Sequence, residues 1–205
     1  MKLILGILLT IPLTVFGHIR SNELIRPYTH YLNNIYQQAS GTSYQSTINQ
    51  VKRDRSSLLT AYNNQKVSID SCRRYFMDSF ENSVFPHWIG TVWDYNGYSN
   101  TPGPDKLIAC GYFVSTPLKH MGFNWNRFKL AQMYSRQIVE TTCSDVSTYT
   151  DKMEMILKLK SQPDNMYFVG LDNHVGILLK EGNHVWFMHS NYIGLEGPVK
   201  EIASI

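Results

Sequence analysis

The sequence predicts an α+β domain in which helices pack on an antiparallel sheet. Helix-period apolar patterns fill the middle of the chain, between about residues 68 and 160, and four consecutive strand-like segments follow. The composition suits a packed core, with 43% hydrophobic and 17% charged residues in a 205-residue chain. The net charge of +3 is too small to argue for a nucleic-acid partner. Lys52, Arg53 and Arg55 form a short basic run, but Asp54 interrupts it, so it reads as a solvated face.

Residues 1–17 read as a signal peptide. Lys2 supplies the positive start, and an apolar run follows, broken by Gly6, Thr10, Pro12 and Thr14. That run is too short and too interrupted for a stable membrane span. The expectation is an exported chain, secreted or periplasmic, with no stable membrane insertion after cleavage. Residues 18–67 are polar. Tyr31, Leu32, Ile35 and Tyr36, then Ile48, Val51, Leu58 and Leu59, suggest an accessory helical segment. Residues 68–205 are the main domain.

Within that domain Ser68 or Asp70 can cap a helix over residues 69–83, with Ile69, Cys72, Phe76 and Phe80 on one face. A Gly- and aromatic-rich loop follows, carrying Trp88, Trp93, Tyr95 and Tyr98. The next helix opens near Cys110. Phe113, Val114, Leu118 and Met121 form its apolar side, and Gly122 is its stop. Pro117 is expected to kink or shorten it. A further helix is expected over 126–141 with Phe128, Ala131, Tyr134 and Ile138 inward, and another over 153–160. Residues 166–171, 174–179 and 184–189 read as strands, and 199–202 as a short fourth.

The last hairpin brings two histidines together. A two-residue turn at Glu181-Gly182, or a four-residue loop over 180–183, sets Leu179 opposite His184 and His174 opposite His189. Gly176 leaves room for a close approach to the same sheet face. His184 falls on the other face. Cys110 opens its helix after a Pro/Gly loop, and the positive end of a helix stabilises a thiolate. If that helix packs on the histidine face, Cys110 becomes a nucleophile, His174 its base, and His189 the group that orients His174. With three cysteines, Cys72 and Cys143 can pair and leave Cys110 free, although the sequence alone does not establish that pairing.

Gly90-Thr91-Val92-Trp93-Asp94-Tyr95-Asn96-Gly97, Ala109-Cys110-Gly111-Tyr112-Phe113-Val114, His174-Val175-Gly176-Ile177 and Met188-His189-Ser190 resemble, in order and type, the NlpC/P60 cysteine peptidases. The resemblance covers roughly residues 85–202. It implies a papain-like fold with the nucleophile at a helix N-terminus and the base and third residue on adjacent strands. It also implies cleavage of amide bonds in the peptide stems of peptidoglycan through an acyl-enzyme, without a cofactor. Cys110, His174 and His189 match the nucleophile, base and third polar residue. Trp93 stands where the family often has a Tyr that helps bind the oxyanion, with Tyr95 two residues on. Ala109 and Gly111 stand where the family usually has Asp and Ser.

Those departures support an alternative, a catalytically inactive cell-wall or peptide binding module on the same fold. A zinc site built from Cys110, His174 and His189 is a third reading.

Overall fold

A computed structural model describes residues 3–7 and 42–203. Their six-stranded sheet is antiparallel throughout, in the order β2-β1-β3-β4-β5-β6. Its strands are β1 (Leu3–Ile7), β2 (Val146–Tyr149), β3 (Asn165–Gly170), β4 (Val175–Glu181), β5 (His184–Asn191) and β6 (Gly197–Ile202). β3 to β6 form a meander of sequence neighbours, as expected, each strand in place within two residues. β1 and β2 were not anticipated as strands. β1 falls inside the segment that reads as a signal and pairs with both β2 and β3. The remainder of that segment, and the helix suggested around Tyr31 to Tyr36, lie outside the described residues.

The helices are α1 (Tyr44–Asn63), α2 (Ile69–Asp78), α3 (Phe85–Trp88), α4 (Cys110–Met121), α5 (Arg127–Ala131), α6 (Ser135–Thr142) and α7 (Lys152–Lys160). Ser68 caps α2 by accepting from the Ser71 N–H. The helical path does not stop at residue 83. A π-helical segment, Ser79–Val84, carries it into α3, where Pro86 sits in the first turn and its missing N–H has no intrahelical bond to lose. The buried face also differs from expectation. Arg73, Met77 and Phe80 point inward while Ile69 is 50% exposed.

α4 begins and ends where the sequence indicates. Gly122 has φ +118°, a left-handed conformation suited to a helix stop. Pro117 removes one backbone bond, yet the helix runs on to Met121 with the proline buried. The helix expected over 126–141 is instead two. Asn126 caps α5 by accepting from the N–H groups of Phe128 and Lys129. The break at Gln132 to Tyr134 then turns Tyr134, 80% exposed, and Phe128, 47% exposed, outward.

Strand alternation divides the core in two. Val175, Ile177, Leu179 and Met188 join Phe113, Val114, Leu118 and Met121 of α4. Leu178, Val185 and Phe187 join Met155, Ile156 and Leu159 of α7 on the other face. α1 is not separate from this body, since Ile48 and Val51 enter the first cluster and Arg55 donates to the Met121 carbonyl. A buried ion pair between Lys200 and Glu81 ties β6 to the π-helical segment. Removing one partner of such a pair costs about 3–5 kcal/mol, because the other charge stays buried. All three cysteines are free thiols, so the Cys72–Cys143 pairing is not formed.

Candidate functional site

The Gly-rich loop is fastened to the start of α4 from several sides. The Val92 N–H donates to the Lys106 carbonyl, Ile108 to Val92, and Ala109 to Gly97. From the sheet, Ser190 Oγ donates to the Ile108 carbonyl over 2.8 Å. Arg127, buried, donates to the carbonyls of Tyr98 and Ser99 and to Thr116 Oγ1, joining the loop to α4 through α5. Cys110 is thus set at a helix N-terminus by contacts distant in sequence. Ala109, at the N-cap, offers no side-chain acceptor, which leaves first-turn N–H groups uncapped. Gly111 has a packing reason. A Cβ there would lie 2.4 Å from the Ala131 carbonyl oxygen, so α5 fills the space a serine side chain needs.

The hairpin turn differs from the sequence expectation by two residues. Glu181, not Leu179, lies opposite His184, and the turn is Gly182-Asn183. Gly182 has φ +54° at the first turn position, where positive φ favours glycine in a two-residue hairpin. An even shift preserves the faces. His174, just before β4, therefore lies diagonal to His189 rather than opposite it. The two still meet, with His174 Nε2 2.8 Å from His189 Nδ1. Their rings stand edge to face at 4.9 Å, and His189 stacks on Phe187 at 4.0 Å. Gly176 makes that stack possible, since a Cβ there would lie 2.4 Å from the Phe187 ring. The close approach foreseen at Gly176 is made by a side chain of the protein itself.

This packing corrects one premise of the sequence reading. The imidazole pair lies on the Phe187 face, whereas α4 packs on the face of Val175, Ile177 and Met188. Among the described residues no hydrogen bond joins the Cys110 sulfur to either ring. The sulfur is instead within reach of the backbone N–H groups of Val175, Gly111 and Cys110 itself. Val175, whose N–H faces the sulfur, is the chain neighbour of His174.

Burial dominates the electrostatics. It pushes the Cys110 thiol up, and the three amide donors only partly oppose it. The helix N-terminus does not leave a thiolate at rest, contrary to the sequence expectation. Burial, and then the neighbouring His189, hold His174 well below the usual imidazole range. Burial alone lowers His189 to about 3. Both rings are neutral at neutral pH, with one donating to the other.

Trp93 packs against Tyr192 at 6.1 Å, and Tyr192 against His174 at 5.6 Å. Trp93 Nε1 is a buried donor without a partner. Tyr95 is 81% exposed. His184 is on the opposite face, stacked near Trp186, as expected. Among the described residues no three His, Cys, Asp or Glu side chains are grouped to hold a metal ion, which counts against a zinc site at Cys110, His174 and His189.

One residue was missed. Glu201, on β6 opposite Phe187, directs Oε2 at His189 Nε2 from 3.9 Å. Its signal was available, since a carboxylate on an inward strand position is unusual.

Comparison with protein-family models, curated proteins and solved structures finds no match. No helix among the described residues is long and apolar enough to cross a membrane.

Proposed function

We propose that the chain is a cysteine hydrolase that cleaves amide bonds, with peptidoglycan stem peptides as substrate. The observation that carries this reading is the Cys110 sulfur at the start of α4, with the N–H groups of Gly111 and Val175 around it and His174 next in the chain. The likeness of the four sequence blocks to NlpC/P60 peptidases supplies the reaction class.

The thiol is protonated at rest, so this is general-base catalysis rather than attack by a preformed thiolate. His174 precedes β4 in a connecting segment, and the reaction needs that segment to shift so that Nδ1 reaches the sulfur while Nε2 stays bonded to His189. Catalytic hydrogen bonds commonly tighten only when substrate is bound. His174 then takes the thiol proton as the sulfur attacks the carbonyl carbon, and returns it to the departing amine. Water, deprotonated by the same ring, hydrolyses the thioester and regenerates the thiol. Trp93 Nε1–H is the side-chain donor assigned to the oxyanion. No metal or cofactor takes part in these steps.

Mass spectrometry of peptidoglycan digests tests this. Wild type is expected to release cleaved stem peptides, and Cys110→Ala and His174→Ala are not. Equal products from wild type and Cys110→Ala would refute the reading. A second reading, a binding module without turnover, is favoured by the absence of a thiol–imidazole bond among the described residues. It gains if wild type binds peptidoglycan fragments and releases none.

A further inference from the structure

Two polar atoms in the core have no hydrogen-bond partner and face each other: His189 Nε2 and Glu201 Oε2, 3.9 Å apart. Their side chains are 1% and 3% exposed, so bulk solvent does not reach them. The strand register explains the meeting. His189 lies opposite Val199 and Phe187 opposite Glu201, which makes His189 and Glu201 diagonal neighbours on one sheet face. A charge-assisted N–H···O bond spans about 2.7–2.9 Å, so roughly 1 Å separates the pair from a bond. Glutamate has three side-chain dihedrals, and a small adjustment of them closes that distance.

We infer that Glu201 is a positioning residue whose carboxylate receives the His189 Nε2–H and thereby fixes the tautomers of both histidines. The consequence follows from proton counting. With the proton of His189 on Nε2, its Nδ1 carries a lone pair and must accept from His174 Nε2–H. The proton of His174 is then on Nε2, and its Nδ1 is left with a free lone pair, the form a base requires. In the opposite tautomer His189 Nδ1–H donates, His174 carries its proton on Nδ1, and neither ring can take a proton from a thiol through that atom. The arrangement is a relay of orientation from Glu201 through His189 to His174, in which no proton need travel. Its catalytic meaning rests on the proposed role of His174, but the tautomers can be read without any turnover.

Nitrogen-15 NMR of the histidine side chains tests the inference. Burial pushes the Glu201 carboxyl up to about 7, so spectra are taken at about pH 8.5, where it is ionised. Wild type is expected to show both His189 and His174 protonated on Nε2. Glu201→Gln, which keeps an acceptor oxygen, is expected to retain that pattern. Glu201→Leu is expected to shift His189 toward the Nδ1–H form. A wild-type His189 protonated on Nδ1 would overturn the inference even if Glu201→Leu failed to fold, and so would an unchanged spectrum in a folded Glu201→Leu. A turnover assay separates the two claims. If Cys110 is the nucleophile, Glu201→Leu lowers kcat by about 10²-fold with KM unchanged, and Glu201→Gln restores it. Absence of turnover in wild type would count against the hydrolase while the tautomer result stood.

Discussion

Acid should destabilise this fold through its buried neutral imidazoles, His174 and His189. His189 is fully enclosed and held at about 3, against 6.5 for a free imidazole. The unfolded chain takes up a proton on this ring below pH 6.5, and the folded chain does not until about pH 3. Stability tied to the neutral ring is therefore complete above 6.5 and is lost as pH falls through that window. Each pH unit below the free-imidazole value costs about 1.4 kcal/mol, so the loss at about pH 4.5 amounts to about 2–3 kcal/mol. That is a large share of the roughly 5–15 kcal/mol that typically holds a domain together. His174 acts in the same direction. The assay is urea unfolding of wild type and His189→Asn at neutral pH and at about pH 4.5. Asn keeps a hydrogen-bonding amide toward His174 and does not titrate. The acid loss in the variant should be smaller by about 2–3 kcal/mol. Equal losses in the two proteins would show that His189 is not a buried neutral ring.

Three further outcomes follow from the same packing. Gly111→Ala places a methyl group 2.4 Å from the Ala131 carbonyl oxygen and should cost about 1–3 kcal/mol in thermal unfolding, so an unchanged melting temperature would refute the close approach of α5. Iodoacetamide should label Cys110 in the free protein more slowly than a free thiol at neutral pH, with the rate rising above the usual thiol range, and rapid labelling below about pH 8 would contradict the burial of the sulfur. Deleting residues 1–17 should cost the amides of β2 and β3 hydrogen-exchange protection, since both pair with β1, while the His174–His189 signals on the far side of β3 stay in place. Loss of those signals would mean that β1 supports the site directly.

Much of the sheet was readable from pattern alone. Four strands in a row after Pro163, with a turn at Gly182 in their midst, leave few topologies other than a meander. The helix at Cys110 was readable because its apolar face and its glycine stop agree. What failed did so for local reasons. The register moved by two because positive φ is met at Gly182, a backbone demand that apolar alternation does not reveal. The long helix over 126–141 broke because Tyr134 begins a new one, with Gln137 Oε1 accepting its N–H. β1 was hidden because an apolar run after a lysine reads equally well as a leader or a strand. The thiol was misjudged because helix position is visible in sequence and burial is not. Alternation kept both histidines on one face through the register error, but it could not say which face α4 would cover.

Acylation of Cys110 is the event on which the hydrolase stands. Wild-type protein is mixed with peptidoglycan fragments, quenched in acid and mapped by peptide mass spectrometry. The expected result is a stem-peptide adduct on the Cys110 peptide that decays as products appear and is absent from Cys110→Ala. Products forming from wild type with no adduct at Cys110, and equally from Cys110→Ala, would contradict it.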